Sequence, residues 1–338
     1  MSGLLRLQRD LVLPLLRIVL LGWLLATRFI GASEGLRASL RKHPLELLHA
    51  PHLERTLGQL GWWPPPGGLV AAVGPALLIC GICALIGLAT RPALLLTGLA
   101  FIVINAVGSG WGFFNHTPAL PGQLLLALAL LPGSTGFSLD RCLLLAWRRR
   151  RGDSTPWLEI VCPPVPRFGE IFVGAVVGAF YTASGLAKVR ADLLPWLSGS
   201  TLQWYLAGGA RSLQYWYGPL DSDTISGHLY MGQVSPLGKW LASSSAMMAV
   251  LSWVTLATEL FAPVFLILGR WWRVGFVVVA FGFHVVVRLT LGPAFTDWII
   301  VDVVLVVPFL VSVFRRGQRS AVPVVESDAA ISEIRARL

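Results

Sequence analysis

Charged residues are scarce in this chain. They make up 13% of its 338 residues, against 55% hydrophobic residues and a mean hydropathy of +0.70, whereas soluble globular proteins carry roughly 25% charged residues. A soluble surface needs more charge than this to stay hydrated, and disordered segments are poor in apolar residues, so both classes are excluded. Long apolar stretches with few charges are typical of chains that lie in lipid. The sequence therefore predicts an integral membrane protein.

Lysine and cysteine are also rare. Of the 27 basic residues only Lys42, Lys188 and Lys239 are lysines, and the net charge is +10. No basic run is interleaved with aromatic residues and no helix-turn-helix or zinc-finger spacing occurs, so nucleic acid is not an expected partner. Four cysteines are too few for a disulfide scaffold. Cys80 and Cys83 lie one turn apart in an apolar run, where small residues in a packed helix are more common than a redox dithiol.

Apolar runs long enough to cross a bilayer recur along the chain. A spanning helix needs about 20 mostly apolar residues, and eight runs qualify: 11–29, 69–89, 93–114, 118–133, 168–188, 246–268, 272–292 and 295–314. They are apolar on all sides, and the alternating segments of a transmembrane barrel are missing. We therefore predict an all-α, polytopic transmembrane bundle of about eight spans at 1–317 and a tail at 318–338.

The arginines predict the orientation of this bundle. With eight spans and a cytoplasmic N-terminus, the arginine run at 148–151 and the cluster at 315–319 fall on the same side, as the positive-inside rule requires. We expect both termini in the cytoplasm and the spans in a bacterial cell membrane, with the lipid bilayer as the first partner. The external segments 30–68 and 189–245 are expected to place amphipathic helices and aromatic side chains at the outer interface.

Lys188 closes the fifth predicted span, after a stretch of small residues that permits close helix packing. Two explanations remain open for a lysine at this position. Its ammonium can extend to the interface, or it can face the bundle interior, where an amine that loses its hydration is available as a base. An arginine could not act in this way, because it stays charged.

Other ionisable residues also fall at membrane depth, where they are costly and therefore informative. His284 and Arg288, at i and i+4, share one face of the seventh predicted span and are expected to line a polar cavity. Glu259 lies in the sixth span, and interhelical ion pairing with Arg17 or Arg288 is its simplest explanation. Two aspartates of the eighth span, Asp297 and Asp302, have the same explanation.

Asn115 and His116 lie at the outer end of the third predicted span, in FNHTPALPG. A turn explains them, since Asn can cap a helix whose first turn holds Pro118 and Pro121. A histidine that exchanges a proton with a small substrate explains them equally well. The motifs of nucleotide, metal-protease and serine-hydrolase sites are missing, and no metal is expected. The polar residues together predict a membrane-embedded site that opens outward.

Several of these pieces occur in an order that resembles the HTTM family, the horizontally transferred transmembrane domain, whose best-known member is vitamin K-dependent gamma-carboxylase. The matching pieces are FNHTPALPGQ, GFSLDR, FYTASGLAKVRADLLPWLSGSTLQWYL, ATELFAPVFLIL and FGFHVVVRLTLGPAFTDWII. The resemblance implies a helical membrane domain over almost the whole chain. It also implies reduced vitamin K or another quinol as cofactor, and an activity of the carboxylating lyase or quinol epoxidase type.

The resemblance further implies roles for individual residues. Lys188 takes the place of the base that deprotonates the quinol, assisted by His116 and Asn115. The remaining candidates shape the cofactor cavity: His284, Arg288, Glu259, Tyr181 and Trp196. The carboxylase has a large luminal region after its membrane domain, whereas only a short tail is expected here, so peptide recognition of that type is not expected.

Two alternatives stay open at this point. The chain can be a non-enzymatic membrane partner or maturation factor for an exported peptide, or a DoxX-like quinone-linked protein that shares the sGLaK-type motif around Lys188. An enzyme of the first kind would act on an exported peptide or a small substrate at the outer face. Replacing Lys188 discriminates among these hypotheses, because only the enzymatic hypothesis requires the amine of Lys188.

Overall fold

The computed structural model describes residues 7–9, 11–30, 67–109, 119–207, 235–290 and 295–321. This part of the chain is mostly helical, which confirms the all-α prediction. Its helices are α1 Val12–Leu24, α2 Gly67–Ile86, α3 Thr90–Ser109, α4 Ala119–Leu130, α5 Leu139–Arg150, α6 Trp157–Val161, α7 Phe168–Leu197, α8 Ser200–Leu206, α9 Pro236–Ala242, α10 Ser245–Leu268, α11 Arg270–Thr290 and α12 Thr296–Ala321. A π-helical turn, Leu25–Phe29, continues α1, and a 3-10 turn, Pro132–Thr135, follows α4.

Four helices of the described chain are long and apolar enough to cross a membrane, namely Val12–Phe29, Phe168–Leu197, Ser245–Leu268 and Trp271–Thr290. They correspond to the first, fifth, sixth and seventh predicted spans. The second to fourth predicted spans coincide with shorter apolar helices, Ala71–Ile86, Thr90–Asn105 and Ala119–Leu130, and the eighth falls on α12. The helices fit a membrane protein, while the count of eight spans stays a prediction.

The long helices run alternately between two ends of the bundle. At the basic end, defined by residues 132–167 with the starts of α1 and α7, Arg273 of α11 binds Glu170 of α7. At the Lys188 end, defined by the end of α7, helices α8 and α9, and the starts of α10 and α12, Arg28 binds Asp297 at 3.1 Å. With the connections between the helices, these contacts place α7, α10, α11 and α12 in alternating directions.

Among the described helices, α7 and α10 pack closely along their length, and glycine makes this possible. A Cβ atom on Gly178 would lie 2.7 Å from the Cα of Pro263, and one on Gly174 would lie 3.2 Å from the Leu266 carbonyl oxygen. Small residues let two helix backbones approach closely in a membrane, where packing rather than the hydrophobic effect drives association. The glycine face of α7 therefore determines which residues of α10 it meets.

Helix α7 is longer than the predicted span 168–188, since it continues to Leu197. Its backbone leaves the helical conformation at Asp192, with φ −170° and ψ 102°, and Pro195 lies within the last turns. Proline cannot donate the hydrogen bond of a continuing helix, so a change of direction here is expected. Gly199, at φ +79°, directly precedes α8. A Cβ atom added at this position would lie 2.3 Å from the Ala249 nitrogen.

The described chain also contains a two-stranded β-ladder, which the sequence did not predict. Leu7–Arg9 pairs antiparallel with Pro164–Pro166, in the register Leu7 to Pro166 and Arg9 to Pro164. It joins the start of the chain to the segment before α7. The amphipathic helices predicted between 30 and 68 fall almost wholly outside the described residues, as does most of the tail at 318–338.

Asp140, in α5, caps the N-terminus of helix α3. Its carboxylate accepts hydrogen bonds from the backbone N–H groups of Ala89 and Thr90, at 2.9 and 2.8 Å, and from the Thr90 hydroxyl at 2.8 Å. Partial burial acts to raise the pKa of Asp140, but these hydrogen bonds and the nearby charge of Arg17 outweigh it, so the pKa lies below its usual value of 3.8. The carboxylate thus joins the loop between α2 and α3 to α5.

Replacing Asp140 with alanine should lower the free energy of unfolding by about 1 kcal/mol, the usual cost of losing a helix cap. A carboxylate with a depressed folded pKa contributes fully above pH 3.8, and this contribution is lost as the pH falls through the folded pKa. Denaturation in detergent at neutral pH and at pH 3 tests this, with the exposed Glu159→Ala as control. An equal deficit at both pH values would contradict it.

Candidate functional site

Three polar side chains follow one face of α7. Tyr181, Ser184 and Lys188 are separated by three and four residues, which places them one above another on a helix. Seven residues of helix span about 10 Å at 1.5 Å per residue, so Tyr181 lies deeper in the bundle than Lys188 by roughly that distance. Each of these residues meets a carboxylate from another helix, and two polar clusters result.

The first cluster joins Lys188 to Glu259 of α10. The Lys188 ammonium donates to Oε1 and Oε2 of Glu259 at 2.7 and 2.8 Å and to the Ser184 hydroxyl at 2.9 Å. Ser184 in turn donates to Glu259 Oε1 at 3.1 Å. Because only 19% of the Lys188 side chain and 7% of the Glu259 side chain are exposed, the lysine points into the bundle rather than toward the interface.

The local chemistry of α10 explains the position of Glu259. Pro263, four residues later, has no N–H to donate to the Glu259 carbonyl. The Thr182 hydroxyl of α7 contacts that carbonyl oxygen at 3.3 Å and the Leu260 carbonyl oxygen at 3.5 Å. A neighbouring helix thus supplies the hydrogen bond that proline removes, as proline in a membrane helix requires. This contact holds the backbone of Glu259 against the face of α7 that bears Lys188.

Trp196 completes this cluster at the Lys188 end. The Lys188 nitrogen lies 5.4 Å from the centre of the Trp196 ring, within the range of a cation–π contact. The break in α7 at Asp192 turns the last residues of the helix so that Trp196 comes beside Lys188. The cluster therefore combines an amine, a carboxylate and an aromatic face, and a proton can pass directly between the two charged groups.

The second cluster lies deeper and joins three helices. The Tyr181 hydroxyl donates to Oδ2 of Asp302 in α12 at 2.7 Å, and its oxygen lies 2.9 Å from Nε2 of His284 in α11. All three residues are at most 3% exposed. Aromatic rings enclose them, since Phe276 and Trp298 pack edge-on against Tyr181 at 5.1 and 4.9 Å. The enclosure keeps water from competing for these hydrogen bonds.

The counter-ions differ from those that the sequence suggested. Glu259 pairs with Lys188 and not with Arg17 or Arg288. Arg17 donates to the carbonyl oxygens of Ser134 and Phe137, at 2.8 and 3.0 Å, because it lies near the basic end of α1, far along the bundle from Glu259. A buried guanidinium surrounded by carbonyl oxygens is stabilised without a carboxylate.

Asp297 also has a partner that the sequence did not indicate. It accepts hydrogen bonds from Nε1 of Trp23, near the end of α1, at 2.6 Å and from Arg28, in the π-helical turn that follows, at 3.1 Å. His284 and Arg288 were expected to line one cavity, but His284 is buried whereas Arg288 is exposed near the end of α11. The four-residue spacing places them on one face of α11, yet only His284 is covered by neighbouring helices.

Not every predicted site residue can be placed. Asn115 and His116 lie outside the described residues. The structure brings together Lys188, Glu259 and Trp196 in one cluster and Tyr181 with His284 in the other. Sequence reasoning treated Asp302 only as an ion-pairing residue and missed its link to Tyr181. The spacing of Tyr181, Ser184 and Lys188 could have revealed the polar face of α7, whereas no pattern indicates the partners.

Neither metal chemistry nor known relatives identify the site. Among the described residues, no group of three or more His, Cys, Asp or Glu side chains is arranged to hold a metal ion. The thiols of Cys80 and Cys83 in α2 are free. Comparison with family models, with curated proteins and with solved structures found no match. The chemistry of the two clusters therefore carries the functional conclusion.

Proposed function

We propose that this chain is an integral membrane enzyme of the HTTM type that deprotonates a quinol at Lys188. The most specific form of this proposal is quinol oxygenation of the kind that gamma-carboxylase couples to carboxylation. The second substrate would be an exported peptide or a small molecule. The observation that carries the proposal is the inward position of Lys188, whose ammonium contacts both oxygens of a buried carboxylate. Lysine in such a place is the residue type that can cycle between ammonium and amine.

The residues around Lys188 suit a quinol. Trp196 offers an aromatic face 5.4 Å from the Lys188 nitrogen, against which a flat quinol ring can stack. The cluster lies in the last third of α7, a helix long and apolar enough to cross a membrane, so a lipid-soluble quinol can reach it from the bilayer. Such a quinol, when bound, supplies a hydroxyl proton and reducing electrons.

The Lys188–Glu259 pair supplies the acid–base chemistry. Transfer of the ammonium proton to the carboxylate across 2.7 Å gives an amine and a carboxylic acid, with no change in net charge. The amine of Lys188 then accepts the proton of a hydroxyl group placed beside it. Ser184, bonded to both partners, keeps the nitrogen and the carboxylate aligned during this exchange.

Oxygen consumption by the purified full chain tests the proposal. In lipid nanodiscs supplied with reduced vitamin K or menaquinol, the unmutated protein is expected to consume oxygen. Lys188→Arg keeps a cation beside Glu259 but cannot act as a base, so the rate should fall about 100-fold or more, the usual contribution of a general base. Lys188→Ala should abolish it. Lys239→Arg, at an exposed lysine in α9, is the matched control and should leave the rate unchanged.

The result also separates the alternatives. If the unmutated protein consumes no oxygen with several quinols, the enzyme proposal is wrong, and a non-enzymatic role as partner or maturation factor for an exported peptide gains support. If quinol binding persists without oxygen consumption, a DoxX-like quinone-linked role is favoured. Mass spectrometry of lipids that copurify with the chain distinguishes these two cases.

A further inference from the structure

We propose that Tyr181, His284 and Asp302 form a buried proton-transfer site, separate from the Lys188–Glu259 pair. One proton moves between the Asp302 carboxyl and the His284 imidazole through the Tyr181 hydroxyl. The two distances that join the chain, 2.7 and 2.9 Å, are those of well-formed hydrogen bonds. The site requires no quinol, and it stands whether or not the function proposed above is correct.

The same geometry fits two arrangements of the hydrogens. In one, protonated Asp302 donates to the Tyr181 oxygen, and the Tyr181 hydroxyl donates to Nε2 of a neutral His284. In the other, the Tyr181 hydroxyl donates to the Asp302 carboxylate, and Nε2 of an imidazolium donates to the Tyr181 oxygen. Between them the Asp302 O–H bond breaks as a new Tyr181 O–H bond forms, and the old Tyr181 O–H bond breaks as Nε2–H forms.

This exchange leaves the net charge of the cluster at zero. A buried group that gained or lost a charge would be strongly destabilised, whereas a carboxylate and an imidazolium bridged by one hydroxyl stabilise each other. Both arrangements are therefore accessible inside the bundle. Phe276 and Trp298, packed against Tyr181, hold its ring in the position that keeps both hydrogen bonds short.

Two atoms of the cluster make no hydrogen bond. Among the described residues, Oδ1 of Asp302 and Nδ1 of His284 are buried and have no hydrogen-bond partner. A cluster that only joined helices would be expected to satisfy such atoms, since unpaired buried polar groups are costly. Because neither atom has a hydrogen bond that would favour one protonation state of its group, the two groups exchange their proton through Tyr181 alone.

The charged groups on the surrounding helices have other contacts. Three ion pairs account for most of them, Arg28 with Asp297, Lys188 with Glu259, and Arg273 with Glu170. Arg17 of α1 binds carbonyl oxygens at the basic end, and Arg288 of α11, like Arg190 and Asp192 of α7, is exposed. Within the described residues the partner that Asp302 shares with His284 is therefore Tyr181.

Nitrogen NMR of histidine tests the relay in the full chain in lipid nanodiscs. The ¹⁵N signals of His284, assigned by their loss in His284→Gln, are expected to be averaged between the neutral ring and the imidazolium. Asp302→Asn keeps an acceptor for the Tyr181 hydroxyl but has no proton to exchange. In that variant the imidazolium contribution should disappear and leave a neutral ring. Tyr181→Phe, which removes the bridging hydroxyl and keeps the ring, should also abolish the averaging.

Several results would overturn the relay. A single neutral tautomer of His284 in the unmutated protein, or an imidazolium that survives in Asp302→Asn, would show that the three residues form static hydrogen bonds. Tyr205→Phe, in α8, is the control and should leave the His284 signals unchanged. If Asp302→Asn does not fold, the unmutated spectrum decides the question alone, since averaged signals support the relay and unaveraged signals exclude it.

Discussion

Glu259→Ala should lower the free energy of unfolding by about 3 kcal/mol, because breaking a buried ion pair leaves the other charge without its partner. The cost falls at the low end of the usual range, since 19% of the Lys188 side chain is exposed and its ammonium can move toward water. The Ser184 hydroxyl also loses its acceptor. Titration of the purified protein with denaturing detergent, followed by circular dichroism, measures the change.

Two further variants show that the ion pair causes this effect. In Lys188→Met/Glu259→Leu both charges are replaced by apolar side chains of similar size, and most of the lost stability should return, as it does for other buried pairs. Arg148→Ala removes the partner of Asp153 from an exposed pair at 3.6 Å and should cause no measurable change. If Glu259→Ala unfolds like the unmutated protein, Lys188 and Glu259 are not paired in the membrane.

Gly178→Ala is expected to destabilise the bundle by about 2 kcal/mol, since overpacking a tight contact typically costs 1–3 kcal/mol. The added methyl group would lie 2.7 Å from the Cα and 2.9 Å from the nitrogen of Pro263, which are backbone atoms and cannot move aside alone. Helices α7 and α10 must therefore separate. Their separation also lengthens the contact of Thr182 with the Glu259 carbonyl and weakens the Lys188–Glu259 pair.

Gly282→Ala provides the matched control. Gly282 lies in the middle of α11, and an added Cβ would meet nothing within 4 Å. Alanine favours a helix over glycine by about 1 kcal/mol, so this variant should be neutral or slightly more stable. The same detergent titration compares the two. Equal behaviour of Gly178→Ala and Gly282→Ala would mean that α7 and α10 are not in close contact.

Individual residues show how far the sequence predicts the site. Lys188 and Glu259 are each conspicuous, because a charge in an apolar run is costly and rare. Their pairing is not predictable, since they lie 71 positions apart and the partner depends on how α7 crosses α10. The sequence offered Arg17 as an alternative, and only the fold shows that Arg17 lies toward the other end of the bundle.

Tyr181 illustrates the opposite case. A tyrosine in an apolar helix is ordinary, and although its spacing from Ser184 and Lys188 places it on their helix face, no pattern along the chain indicates its partners. Its two partners lie 103 and 121 positions away on different helices. The cluster exists because α7, α11 and α12 converge at one depth, and such convergence has no local signature.

By itself the sequence determined the class of protein and most of the long helices, because hydropathy is a sum over neighbouring residues and lipid admits few backbone structures. It also marked the few ionisable residues at membrane depth, since each must be compensated. Only the tertiary structure decided which of them compensate each other, that Lys188 faces inward, and that Tyr181 links His284 to Asp302. These are contacts between distant positions, and the Lys188–Glu259 pair depends on how closely the glycines of α7 let α10 approach.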